Sequence, residues 1–134
     1  METLDVIAVD TNVLARLLVS DHAAQSKASQ TLFATEEIFL PDTVLLETEW
    51  VLRAVFDRSR QEVCNAFRQI CGLPNVTLSD ARLFAQVVDW HDGGLDFADA
   101  FHLALSIDQE AFKTFDRDFV KLAKRLSVPH VERL

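Results

Sequence analysis

Two rhythms of apolar residues alternate along the chain. Short apolar runs at residues 4–9, 37–40, 75–78 and 111–115 read as strands, and nearly unbroken ones are expected of parallel strands buried on both faces. Between them, apolar residues return every three or four positions, the period of a helix packed on one side. Helices are predicted at residues 12–19, 23–34, 43–56, 60–71, from Ser79 to Gly93-Gly94, 96–109 and 119–126. Small polar residues mark their starts: Thr11 or Asn12 for the first, Asp21 for the second, Asp42 or Thr43 for the third, and Ser79 and Asp96 further on. Pro41, Gly72 and Pro74 mark stops. Residues 128–131 read as a last edge strand, a position that tolerates Pro129. Strands alternating with helices predict an α/β fold, with a central, mostly parallel sheet of four or five strands flanked by helices. No repeat or linker interrupts the 134 residues, so one domain, 1–134, is expected.

Half the residues are apolar and ten are Phe, enough for a core without disulfide staples. Cys64 and Cys71, seven apart on one helical face, are expected as reduced core thiols. No apolar run approaches the roughly 20 residues that span a bilayer, and the acidic start, Met1-Glu2-Thr3-Leu4-Asp5, lacks the basic opening of a signal peptide. A cytoplasmic protein is expected. The net charge of −8 argues against a protein that coats nucleic acid. Either the substrate is something else, or the charge is offset where substrate binds, as bound divalent cations would do. A basic partner protein would be attracted to such a surface.

Several acids sit where chemistry is expected. Asp10 ends the first strand and Asp116 follows the fourth; in open α/β sheets ligands collect beyond the carboxyl ends of strands. Each is alternatively a cap for the next helix, with Asp118 competing for that role beside Asp116. Asp96 and Asp99 resemble a capping box and suit the positive end of a helix dipole. The residues after Asp99 are strongly apolar, so its turn is also expected to face a cleft. Glu47 has Val44 and Val51 as helical neighbours, which places it on an apolar face where a carboxylate is costly unless paired or bound to metal; Arg53 is the alternative partner. Glu49 has Leu45, Leu46 and Leu52 around it, so helical phase does not separate the two. Two carboxylates about 4 Å apart repel by about 4 kcal/mol at an effective dielectric of about 20. Such a cluster takes up protons, recruits cations or binds metal. Oxygen ligands favour magnesium or manganese, and the four His residues form neither HxxxH nor HExxH.

Four segments occur in order: Val9-Asp10-Thr11-Asn12-Val13-Leu14, Glu47-Thr48-Glu49-Trp50-Val51-Leu52-Arg53, Asp96-Phe97-Ala98-Asp99-Ala100 and Thr114-Phe115-Asp116-Arg117-Asp118-Phe119. With these the chain resembles a PIN domain, most closely VapC, the toxin of a bacterial type II toxin–antitoxin pair. The resemblance covers essentially the whole chain. It implies a three-layer fold with the acids at one end of the sheet. Carried over by position, Asp10, Glu47, Asp99 and Asp116 are the catalytic and metal-binding quartet, with Asp96 and Asp118 as accessories. Asn12 and Thr114 match small polar residues near the metal. The resemblance, through Glu-x-x-Trp-Val-Leu, selects Glu47 over Glu49.

The activity so implied is a magnesium-dependent endoribonuclease, with Mn2+ a possible substitute. One or two ions polarise the phosphodiester and activate a water for in-line attack, leaving a 5′-phosphate and a 3′-hydroxyl. The implied partners are RNA and a VapB-like antitoxin that lays a C-terminal segment over the cleft and places an Arg among the acids. A homodimer is implied, and a heterotetramer or larger assembly with antitoxin; the apolar helices 12–19 and 43–56 are candidates for the interface. Arg16, Arg53, Lys113 and Arg117 lie near the motifs and are candidates to hold RNA. Trp50 and Trp90 are candidates to stack on bases, although Trp50 is expected in the core. His102 follows Asp99 by one turn. Two other readings compete. A haloacid-dehalogenase-like phosphatase would use Asp10 as nucleophile, but would want a second Asp where Asn12 stands. A binding module would keep the fold without turnover.

Overall fold

A computed structural model describes residues 5–128 and 130–134. The chain divides after Ala81 into two compact units.

The first unit contains β1 (Val6–Ala8), α1 (Thr11–Leu18), α2 (Ala23–Thr35), β2 (Glu37–Leu40), α3 (Asp42–Ala54), α4 (Arg60–Cys71) and β3 (Val76–Leu78). The strands pair in the order β1-β2-β3, and both ladders are parallel. Parallel neighbours need long crossovers, and the pairs α1–α2 and α3–α4 supply them. Ile38 and Leu40 of the central strand are fully buried, together with Leu14, Leu45, Cys64 and Phe67. Packing of α1 on α2 and α3, and of α4 on α3 and β3, closes the core. The Asn75 side-chain amide donates to the carbonyls of Phe33 and Glu36, both at 2.7 Å, and ties the end of α2 to the approach to β3.

The second unit begins within α5 (Ala81–Asp92) and continues through α6 (Phe97–Leu105), β4 (Phe112–Thr114), α7 (Arg117–Arg125) and β5 (Val131–Arg133). Phe84, Phe97 and Phe101 lock α5 to α6, with ring centroids 5.8 to 6.1 Å apart. Strands β4 and β5 pair in parallel, and α7 crosses between them with Phe119 against Phe112. The α5–α6 turn needs Gly94, whose φ of 117° disfavours any other residue. Buried His91 holds that turn: its Nδ1 is 2.7 Å from the Leu95 carbonyl and its ring meets Phe97 edge-on.

The α/β class, the parallel pairing and the flanking helices agree with the expectation from sequence. Among the described residues the five strands form sheets of three and two. Several details differ. Strand β1 is predicted as buried, yet Val6 and Ile7 are 41% and 37% exposed; among the described residues it stands at the edge of the three-stranded sheet, paired with β2 alone. Leu4, the predicted start of that strand, lies outside the described residues. Asp10, not Thr11 or Asn12, caps α1. His22 caps α2, because Asp21 is engaged by Arg16. Pro41 precedes α3 without a side-chain cap bond, in place of Asp42 or Thr43. Helix α6 stops at Leu105, not 109: the Ser106 hydroxyl donates back to the His102 carbonyl and its N–H closes the last turn. Helix α7 starts at Arg117 because Asp116 caps it. Strand β5 lies at 131–133, not 128–131. Val128 instead donates its N–H to the Ala123 carbonyl behind α7, and Ser127 and His130 take positive φ; Pro129 lies outside the described residues. Neither cysteine is in a disulfide among the described residues; Cys64 is buried and Cys71 half-buried, and burial pushes the Cys71 thiol up to about 11. No helix among the described residues is long and apolar enough to cross a membrane.

Candidate active site

Asp10, Asn12 and Glu47 belong to the first unit; Asp96, Asp99, Thr114, Asp116 and Asp118 belong to the second. In the first unit, the chain leaves β1 and turns directly into α1. Asp10 Oδ1 accepts the Asn12 N–H at 2.8 Å and caps the helix. Thr11, buried beside it, donates its hydroxyl to Glu47 Oε1 at 2.5 Å. One hydrogen bond therefore brings a carboxylate from α3 to the residue next to Asp10, across 36 positions of sequence. From the sequence alone Thr11 is only a possible cap. Its signal was present, a hydroxyl next to an acid at a strand end, but its distant acceptor was not.

The cost assigned to Glu47 on an apolar face falls on Glu49 instead. Glu47 is exposed, whereas Glu49 is 4% exposed. Arg53, one turn along, donates Nε to Glu49 Oε2 at 2.7 Å. The predicted guanidinium partner exists, but it serves the other glutamate, because Glu49 is the one that packs inward with Leu45 and Leu52. Trp50, expected in the core, is 53% exposed, on the opposite side of the helix from those residues. Trp90 is half-buried.

In the second unit, each acid sits at a helix start. Asp96 Oδ2 accepts the Asp99 N–H at 3.1 Å and caps α6. Asp116 Oδ1 accepts the N–H groups of Asp118 and Phe119 at 2.9 and 3.1 Å and caps α7. The Thr114 hydroxyl accepts the Asp116 N–H at 3.0 Å and fixes the turn. Asp118 is exposed, and it is its backbone that joins this turn. The capping explanation and the functional one are thus compatible. A cap uses one carboxylate oxygen, and the second oxygen of Asp10, Asp96 and Asp116 has no protein partner among the described residues.

Asp99 differs from the others. Burial, and then the negative charges of Asp96 and Asp116, raise its proton affinity above that of an ordinary carboxylate, while His102 pulls the other way. A group in that position gains from a cation. The donor set is all oxygen, the chemistry of a hard divalent ion. Among the described residues, no three or more His, Cys, Asp or Glu side chains form a group that could hold a metal ion. Magnesium does not require one: it is commonly held by one or two carboxylates, with water and substrate phosphates completing its shell.

Three of the four cations expected near RNA are already engaged. Arg16 pairs with Asp21, Arg53 with Glu49 and Lys113 with Glu132. Arg117 makes no such pair among the described residues and is exposed.

No curated protein matches the chain. The model of the PIN domain family matches residues 7–125, a stretch that holds all eight of the site residues expected from sequence. The match spans most of the 134 residues: the chain belongs to the PIN-domain family.

Proposed function

We propose that this PIN domain is a magnesium-dependent endoribonuclease, the toxin of a VapBC-like toxin–antitoxin pair. PIN domains are generally nucleases, so the coarse reading follows from the family, and the finer one rests on the residues. The observation that carries it is Asp99, crowded by Asp96 and Asp116 at the start of α6. Asp10, Glu47, Asp99 and Asp116 are the proposed metal-binding and catalytic acids. Asp96 and Asp118 are accessory acids, and Asn12 and Thr114 polar support. Thr11 orients the Glu47 carboxylate through its hydroxyl. Thr114 holds the backbone of Asp116, so that the free oxygen of that cap points in a fixed direction. A bound magnesium or manganese ion would polarise the scissile phosphodiester and ease deprotonation of the attacking water.

The chain's net charge of −8 supports a basic partner segment as inhibitor, the part proposed for a VapB-like antitoxin. A homodimer, a heterotetramer with antitoxin and a cytoplasmic location complete the proposal. The test is incubation of the purified protein with RNA in magnesium, in manganese and in chelator. Cleavage that needs the ion, leaves 5′-phosphate ends and vanishes in Asp99→Asn is expected. Equal cleavage in chelator, or an intact substrate under all three conditions, would overturn it.

A further inference from the structure

We infer that the outer face of α7, with Phe115 at its start, is a docking surface for single-stranded RNA. Helix α7 carries Arg117, Lys121, Lys124 and Arg125 against one acid, Asp118, so its nine residues hold a net charge of +3 in a chain of −8. At about 100° per residue, the four cations occupy one stripe about 100° wide. Phe119 and Ala123, the buried residues of the helix, lie on the opposite side. All four cations are exposed, and none pairs with a carboxylate among the described residues. Arg16, Arg53 and Lys113 are each paired with a carboxylate, whereas here four cations without such a pair among the described residues stand on one face of one helix.

Helix electrostatics explain only part of it. Cations in the last turn suit the negative end of the dipole, which accounts for Lys124 and Arg125. Arg117 stands at the positive end, where a cation is disfavoured. The stripe starts at Asp116, and Phe115, 74% exposed, precedes that acid. An uncovered aromatic ring two residues before the first of a row of cations combines the two features that hold unpaired strands: rings stack on bases while cations follow phosphates. Along the helix axis the stripe runs about 12 Å, enough to engage successive phosphates leading away from the acids. The choice of RNA over another polyanionic strand rests on the nuclease reading; the binding surface itself does not.

The probe is a fluorescein-labelled oligouridylate on the order of 12 nucleotides, followed by anisotropy in chelator, so that turnover plays no part. Binding is expected to weaken with salt by about 0.7 logarithmic steps per phosphate contact. Lys121→Gln/Lys124→Gln should lower that slope by about 1.4. Lys27→Gln/Arg82→Gln, an equal charge change elsewhere, should leave it alone. Phe115→Leu should weaken binding about fivefold or more, and Phe115→Trp should restore it. No binding by the wild-type protein, an unchanged slope in the α7 variant, or polyglutamate competing as well as RNA would each overturn the inference. If binding behaves as expected but magnesium triggers no cleavage, the nuclease reading fails and the docking surface stands. If cleavage occurs and the α7 variant binds normally, the reverse holds.

Discussion

The two units treat their acids in opposite ways. In the first, every carboxylate at the candidate site accepts a hydrogen bond from the protein. Asp10 accepts a backbone N–H, Glu47 accepts the Thr11 hydroxyl, and Glu49 behind them is paired with Arg53. In the second, Asp99 is half-buried and faces two like charges. The contrast teaches where a cation is wanted: among the candidate site residues, Asp99 of the second unit is pushed up by burial and like charge. Crowding alone does not define a site, since Asp42 in the first unit is also pushed up by burial and by Asp80 without any motif to assign it chemistry.

The largest expected effect tests that contrast through activity. Asp10→Asn and Asp99→Asn should each reduce RNA cleavage by about 100-fold or more, beyond the roughly 10- to 100-fold expected for outer-shell residues. Asn is itself a good N-cap, so Asp10→Asn should fold normally. The two variants should part in calorimetric titration with Mn2+, where Asp99→Asn loses more affinity. Retention of wild-type affinity by Asp99→Asn, with loss in Asp10→Asn, would invert the comparison.

Next in size is the separation of the two glutamates on α3. Arg53→Met leaves the buried Glu49 without that guanidinium. A fully buried broken pair costs about 3–5 kcal/mol; Arg53 is half exposed, so about 1–2 kcal/mol is expected from urea unfolding, with activity per folded molecule unchanged. Glu47→Gln should do the reverse, removing activity and shifting stability by less than about 0.5 kcal/mol, as an exposed position should. Thr11→Val, smaller again, should lower turnover about tenfold by releasing Glu47, an effect of the size seen for supports of a ligand. Thr11→Ser should keep it. Equal activity in Thr11→Val and wild type would leave that hydroxyl a packing feature only.

Those glutamates also mark the limit of what the sequence could reveal. Helices with strong ends were legible: α4 runs between its Ser59 cap and Gly72 where the pattern placed it, and β2 ends at Pro41. The acids Asp10, Asp96 and Asp116 were legible both as caps and as site candidates, and they are caps. Burial at Glu47 and Glu49 was not, because both have apolar neighbours at helical spacing and only packing selects the inward one. Trp50 failed for the same reason: an aromatic in an apolar helix looks like core until the helix is rotated into place. The ends of α6 and β5 depended on single local bonds, the Ser106 hydroxyl and the Val128 N–H, which no periodicity encodes. The Thr11–Glu47 bond joins residues 36 apart, and only the crossover topology puts them within reach.

The smallest effect expected is in stability against pH, and its sign separates the units. Burial and like charge raise the proton affinity of Asp99 in the folded protein above that in the unfolded chain, where a carboxyl titrates near 3.9. Between those two values the folded state binds more protons, so stability falls as pH rises, and the loss is complete above the folded value. Asn at this position does not titrate. Asp99→Asn and wild type should therefore melt alike below about pH 3, and the variant should melt higher at neutral pH. Saturating Mn2+ should narrow that gap by stabilising the wild-type protein alone. Asp10→Ala should move the other way at neutral pH, losing about 1 kcal/mol with its cap. A lower melting temperature for Asp99→Asn at pH 7 would mean that Asp99 is held by a favourable partner, and the contrast between the two units would then be lost.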